Sequence, residues 1–299
     1  MGWRVLYIQE SDYLSTMLDN IKIKNSDEKE LLFPLKDIHT LILDNYKLVV
    51  SVQLLNKCAE YNINLISCGV DHNPVAILIP HDGHHAMAQE LKKQISWQEE
   101  SKQLAHQKIV KQKIINQYLT LKKLELNDNK KSELLLQYSE SVELADHTNR
   151  EGLASKVYFR IMFGENFQRF GDDVLNAGLN YGYAIIRSQI NKAIVAKGLN
   201  ASLGIIHKGP LNAFNLSDDV IEVFRPIIDF WVYENLRYCV EFTKSHRVSL
   251  IKLSTGQINY QGQEQTLLNS MVGYINSIVN FFEVGSEIEF PDIESFHEL

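Results

Sequence analysis

Hydrophobic and polar positions alternate along the first eighty residues of the chain. A period of two is typical of half-buried β-strands, and short β-branched runs are typical of fully buried ones. Strands are predicted at 3–9, 21–24, 38–43, 63–68 and 75–79, and one helix is predicted at 48–61. The pattern therefore predicts a small β-rich domain that spans residues 1–83.

From residue 84 onward the apolar positions recur with helical spacing. Helices are predicted at 92–124, with at most one break, and at 131–145, 149–163, 173–197, 217–225, 226–243 and 264–282. Gly178 and Gly182, four residues apart, favour close packing of one of these helices against a neighbour. Residues 84–299 are predicted to form a larger, all-α domain, so the fold class is α+β. The tail 283–299 contains Pro291 and is expected to be loosely ordered.

Composition argues against a membrane-spanning or secreted protein. No apolar run approaches the roughly 18–20 residues that a membrane helix needs, and the start of the chain lacks the layout of a signal peptide. Cys58, Cys68 and Cys239 are widely spaced and match neither a zinc pattern nor a disulfide framework. We expect three free, buried thiols in a cytoplasmic protein with no membrane partner.

Charge is distributed unevenly along the chain. The net charge is −7, but residues 283–299 hold six acids and no Lys or Arg, which leaves 30 bases against 31 acids elsewhere. The segments 84–125 and 150–208 each hold eight Lys or Arg against four Asp or Glu. Such local positive charge suits DNA phosphates, although it is also what ordinary solvated helix faces carry.

Three residues on separate elements could share one metal ion. Glu151 lies at the start of a predicted helix, His207 precedes a turn, and Glu222 lies on a third element. Carboxylate oxygens with one imidazole nitrogen suit Mg²⁺ or Mn²⁺. For Glu151 an alternative remains, because Thr148 and Glu151 fit a capping box and would then need no metal.

The acids before Glu222 have a local explanation. Ser217 is a good N-cap, which would place Asp218 and Asp219 in the first helical turn, where negative charge complements the helix dipole. Glu222 lies one turn further along, where the helix dipole no longer stabilises a negative charge, and it shares a helix face with both aspartates. Carboxylates stacked in this way repel one another unless a cation lies between them.

The order of three segments resembles a known family. The segments are 150–159, beginning Arg-Glu-Gly-Leu-Ala-Ser, then 173–183, with the pattern D-x-x-N-A-x-L-x-Y-G-Y, and 206–226, which contains His207 and Glu222. They resemble, in the same order, motifs of the CRISPR-associated integrases of spacer acquisition, the Cas1 family. The resemblance covers roughly residues 1–282, and the chain length resembles the compact type II branch.

The resemblance implies a reaction and a site. Glu151, His207 and Glu222 would be the catalytic metal ligands for Mg²⁺ or Mn²⁺, and Asp219 matches a second acidic position near the metal. The implied enzyme is a metal-dependent DNA endonuclease and integrase that inserts prespacer DNA into the CRISPR array through 3′-OH attack on repeat-end phosphodiesters. Contacts to the DNA backbone are expected from basic residues near these segments, namely Lys156, Arg160, Arg187 and Lys208.

The resemblance also implies partners. The β-rich domains would pair two chains into a homodimer, and a second adaptation protein, Cas2, would join two such dimers on DNA. A type II system would add an effector nuclease and a ring-shaped helper protein. From the residues alone two other classes stay open: a metal nuclease that cuts branched DNA in repair, and a non-catalytic DNA scaffold whose acids only cap helices.

Overall fold

The structure, a computed structural model, describes residues 2–25, 30–80, 86–126 and 130–298. The chain divides into two compact units, Met1–Met87 and Ala88–Leu299. The predicted boundary after residue 83, with the nearby His81, His84 and His85, lies outside the described residues.

In the part of the first unit that the structure describes, the chain forms two four-stranded sheets and one α-helix. Its elements are β1 (Arg4–Ile8), β2 (Ser11–Met17), β3 (Asn20–Asn25), β4 (Glu30–Pro34), β5 (Ile38–Leu43), β6 (Val49–Val50), α1 (Val52–Glu60), β7 (Asn64–Cys68) and β8 (Pro74–Leu78). One sheet has the order β1-β5-β7-β8, with β8 antiparallel to β7, and the other has the order β4-β3-β2-β6. Leu14, Leu41 and Leu54 are fully buried between these elements.

The second unit is mostly helical. Its helices are α2 (Met87–Ile95), α3 (Glu99–Lys123), α4 (Lys130–Glu140), α5 (Arg150–Phe163), α6 (Val174–Ala196), α7 (Asn215–Val220), α8 (Arg225–Leu236), α9 (Lys244–Lys252) and α10 (Leu267–Val284). Short strands β9 (Gln257–Tyr260), β10 (Gln263–Thr266) and β11 (Asp292–His297) form a sheet with the order β10-β9-β11.

The predicted α+β class is confirmed, but the prediction of an all-α second domain is wrong. The strands β9 to β11 have only four to six residues, which is too short for period-two alternation to stand out from the surrounding helical pattern. The expectation of a loosely ordered tail is also wrong. β11 pairs with β9, and Ile288, Ile293 and Phe296 are buried.

Close helix packing around the glycines of α6 is confirmed. A Cβ atom at Gly178 would overlap the side chain of Leu236, and one at Gly182 would overlap Ile228. Both partners lie on α8, so α6 and α8 pack closely. The residues around Glu222 lead directly into α8.

Cys58 and Cys68 lie in the first unit, on α1 and β7. Both are buried, as expected, whereas Cys239 is only half-buried. Within the described ranges, none of the helices is long and apolar enough to cross a membrane.

Candidate metal centre

Glu151 and Glu222 meet at a single ammonium group. The Nζ atom of Lys113 lies 2.6 Å from Oε1 of Glu151 and forms a second ion pair with Oε2 of Glu222. Lys113 belongs to α3 and is only 7% exposed. Two of the three predicted ligands, from separate elements, therefore converge on one cation.

Glu151 is not needed to cap its helix. The side chain of Asn149 accepts a hydrogen bond from the backbone N–H of Gly152, and the carboxylate of Asp146 accepts from the N–H groups of residues 150 and 151. The first turn of α5 is thus satisfied by other side chains. The capping box of Thr148 and Glu151 is wrong, and the Glu151 carboxylate is directed to Lys113 instead.

Glu222 lies in a 3₁₀ turn, Ile221–Val223, between α7 and α8. The amide of Asn116 on α3 donates to the carbonyl of Val223 over 2.8 Å and fixes this turn against α3. The prediction that Ser217 is an N-cap is wrong. α7 begins at Asn215, and Ser217 is buried within it.

The charges around Glu222 balance one another. Burial opposes ionisation of its carboxyl group, but Arg225 and Lys113 prevail and lower its pKa to about 2. Burial likewise opposes the charge on Lys113, yet the two glutamates raise the pKa of its ammonium group. Glu222 and Lys113 therefore both stay charged in a largely buried site.

Arg225 binds the oxygen of Glu222 that is not paired with Lys113. Its Nε donates to Oε1 of Glu222 over 2.8 Å, and its guanidinium stacks 4.5 Å from the centre of the Tyr183 ring. The Tyr183 hydroxyl in turn donates to the buried Asp229, and burial raises the pKa of Asp229 to about 6. Arg225 therefore fixes Oε1 of Glu222, while Oε2 forms the ion pair with Lys113.

His207 is oriented by Asp219. The Nδ1 atom of His207 lies 2.7 Å from Oδ1 of Asp219, and the other oxygen, Oδ2, accepts from the N–H groups of Ile205 and Ile206. Gly204 is required here, because a Cβ would overlap the His207 carbonyl. The Asp219 hydrogen bond raises the pKa of His207 despite partial burial.

The predicted ligand set is only partly assembled. Among the described residues, no three His, Cys, Asp or Glu side chains are close enough together to form a metal-binding group. Glu151 and Glu222 share the ammonium group of Lys113. His207 is instead hydrogen-bonded to Asp219 through Nδ1, and this bond does not use its Nε2 atom. Both oxygens of Asp219 are engaged by the 205–207 loop.

The four predicted DNA-contact residues occupy different places. Lys156 and Arg160 are exposed on α5. Lys208 and His207 line one cavity of about 460 Å³. Arg187 lines a separate cleft of about 260 Å³ that also receives Arg169 and Arg225.

Sequence reasoning missed several residues of the site. Arg169 and Arg225 line the arginine cleft, Lys113 pairs with both glutamates, and Asn116 holds the turn that carries Glu222. A signal for Lys113 exists, because it interrupts an apolar stripe of α3 that includes Ile109, Val110, Ile114 and Leu121, all buried. A lysine on such a face requires a buried partner of opposite charge.

Comparisons with known proteins place the chain in a family. The family model for CRISPR associated protein Cas1 matches residues 6–238. A CRISPR-associated endonuclease Cas1 from Neisseria meningitidis serogroup C (strain 8013) is 32% identical over 302 residues, which cover 98% of this chain and 97% of that protein.

Solved structures share the fold at lower identity. A casposase bound to integration product superposes with a TM-score of 0.76 and 17% identity, over 96% of this chain and 92% of that one. A Cas1 protein from Thermotoga maritima gives 0.75 and 14%, over 96% and 99%. A Cas6-RT-Cas1–Cas2 complex gives 0.65 and 16%, over 98% of this chain and 33% of the matched chain. At these identities the likeness concerns the fold alone.

Proposed function

Because the chain belongs to the Cas1 family of CRISPR-associated proteins, we propose that it is a metal-dependent DNA endonuclease and integrase of CRISPR adaptation. It inserts prespacer DNA into the CRISPR array by 3′-OH attack on repeat-end phosphodiesters. The observation that carries the proposal is the convergence of Glu151 and Glu222 on one cation in a largely buried site.

The donors fit a hard divalent cation. Glu151 and Glu222 would bind Mg²⁺ or Mn²⁺ through carboxylate oxygens, and His207 would add its Nε2 nitrogen. A metal bound there would polarise the phosphodiester and stabilise the charge that develops in the transition state. Asp219 acts as a positioning residue, since a carboxylate on Nδ1 fixes the orientation of a ligating imidazole.

The DNA backbone is expected to follow the basic side chains around the site. The arginine cleft (Arg169, Arg187 and Arg225) adjoins Glu222 through Arg225. Arg169 is held in place by bonds to Asn176 and Asn180 of 2.8 and 2.7 Å. A prepositioned guanidinium suits a phosphate oxygen, so we propose this cleft as a phosphate contact together with Lys156, Arg160 and Lys208.

The partners proposed are DNA, a second copy of this chain and Cas2. The first unit exposes large apolar side chains, including Trp3, Leu18 and Tyr46, which supports its use in a homodimer. The proposal of Cas2 is supported by the fold shared with a chain of a Cas1–Cas2 complex. A type II effector nuclease and a ring-shaped helper remain predictions from the sequence resemblance.

A strand-transfer assay tests the proposal. The protein is incubated with labelled duplex that carries free 3′-OH ends and with a target containing the repeat, in Mn²⁺ or in EDTA. Joined products that require Mn²⁺ and disappear with Glu151→Gln support it. Cut products alone, from branched DNA, would favour a structure-specific nuclease, and binding without either product would favour a scaffold.

A further inference from the structure

Lys113 occupies a place that two carboxylates prepare for a cation. Its Nζ is in contact with one oxygen of Glu151 and one oxygen of Glu222, on elements that α3 brings together. The side chain is nearly buried. An ammonium group in such a position satisfies both carboxylates by itself.

The local charge is already neutral with Lys113 in place. Glu151 and Glu222 supply two negative charges, and Lys113 and Arg225 supply two positive ones. A divalent ion added to this arrangement would face the ammonium at contact distance, where repulsion in a poorly solvated site is strong. Either the lysine or the metal can occupy the position between the glutamates.

Of the two cations, Lys113 is the one that can leave. Arg225 is stacked on Tyr183 and bonds the other oxygen of Glu222, whereas a lysine side chain is a point charge on a flexible four-carbon stem. On the basis of the metal site proposed above, we propose that Lys113 is an internal counter-cation. It holds Glu151 and Glu222 together in the metal-free protein and competes with the divalent metal for them.

Competition between Lys113 and the metal predicts that replacing Lys113 with an uncharged residue strengthens metal binding. Lys113→Met removes the competing charge while keeping the apolar stem, so the protein should bind Mn²⁺ more tightly. The metal-free protein should be less stable, because the buried Glu222 and the partly buried Glu151 lose a partner. A lysine with a purely structural role would lower stability as well, but would not strengthen metal binding.

The experiment measures Mn²⁺ binding by isothermal titration and the melting temperature in EDTA and in Mn²⁺. Lys113→Met and Lys113→Gln should both lower the Kd for Mn²⁺ at least about tenfold, which is about 1.4 kcal/mol. Lys113→Arg, which retains a cation, should not lower it. Lys111→Met is the control, because Lys111 is exposed on the same helix and its loss changes the net charge equally.

The outcomes separate this inference from the proposed function. An unchanged or higher Kd in both Lys113→Met and Lys113→Gln would overturn the competition while leaving the metal site intact. If the Glu222→Gln variant binds Mn²⁺ as tightly as wild type, both this inference and the proposed metal site are overturned, because the metal would then bind elsewhere. If Lys113→Met does not fold in EDTA, it is purified in Mn²⁺, and Lys113→Gln supplies the comparison.

Discussion

The imidazole Nδ1 of His207 lies 2.7 Å from Oδ1 of Asp219, a carboxylate that also accepts the backbone N–H groups of residues 205 to 207. One buried side chain thus shapes the loop and orients the imidazole. Replacing Asp219 by Asn should lower strand transfer about 10–100-fold, the usual effect of losing a carboxylate behind a metal-ligating histidine. A rate within twofold of wild type would contradict this positioning role.

The same pair predicts a pH dependence of stability. Asp219 raises the pKa of His207, so the folded protein favours the protonated imidazole. Its stabilisation is complete below the unfolded pKa of about 6.5 and is lost as the pH rises through the higher folded pKa. The stability gap between wild type and Asp219→Asn, measured in EDTA by chemical denaturation, should therefore narrow as the pH rises above about 6.5. A gap that stays constant with pH would exclude preferential protonation of His207.

Glu222 and Asp218 should differ sharply. Glu222 faces Lys113 and Arg225 in a buried setting, so Glu222→Ala should abolish strand transfer and also destabilise the fold by roughly 3–5 kcal/mol. From the helix pattern alone, the same variant would be expected to leave the fold intact. Asp218 is only partly buried and contacts Arg187 and Asn212, so Asp218→Asn should cost about 1 kcal/mol or less and keep activity. Equal loss of activity in the two variants would refute the distinction.

Glu151→Gln should separate metal binding from helix capping. The first turn of α5 is capped by Asn149 and Asp146, so no cap is lost. The melting temperature in EDTA should fall only through the weakened ion pair with Lys113, which keeps Glu222 as a partner. Strand transfer should collapse, and the stabilisation that Mn²⁺ gives the wild type should largely disappear, because a metal stabilises only the folded site it binds. Asn149→Ala is the matched control, with a stability cost of about 1 kcal/mol and its Mn²⁺ response retained.

The acidic tail should behave as part of the core. Ile288, Ile293 and Phe296 are buried, and each such side chain stabilises by about 1.5–3 kcal/mol. Deleting 284–299 should therefore lower the melting temperature markedly. The double change Glu287→Gln and Glu294→Gln removes only solvent-exposed ion pairs with α3 and should leave it nearly unchanged. If the deletion variant keeps the wild-type melting temperature, the tail is a solvated terminus and not part of the core.

The arginine cleft should contribute to DNA affinity through phosphate contacts. Arg169→Ala should weaken binding of branched duplex and reduce the slope of log affinity against log salt by about one. Arg237, which stacks on Tyr233 and Tyr238 outside the cleft, provides a control through Arg237→Ala. Fluorescence anisotropy at several salt concentrations measures both. An unchanged salt slope for Arg169→Ala would show that the arginine cleft does not contact the DNA phosphates.

The sequence by itself determined the elements that depend on local pattern. Long amphipathic helices such as α5, α6 and α10, and the buried strands β5 and β7, follow from periodicity, because each must present one apolar face or run to a core. Three separated motifs were sufficient to identify the family. The short strands β9 to β11 were missed, because four to six residues are too few for alternation to stand out and because β11 pairs with a strand more than thirty residues before it.

Only the tertiary structure decided the roles of the charged residues. Glu151 could cap α5 or bind a cation, and the choice rests on Asp146 and Asn149, which satisfy the helix, and on Lys113, which arrives from α3. Asp219 became a support for His207 in the same way. A charged side chain acts through whichever opposite charge or donor folding brings within a few ångströms, and that distance is not encoded in local sequence.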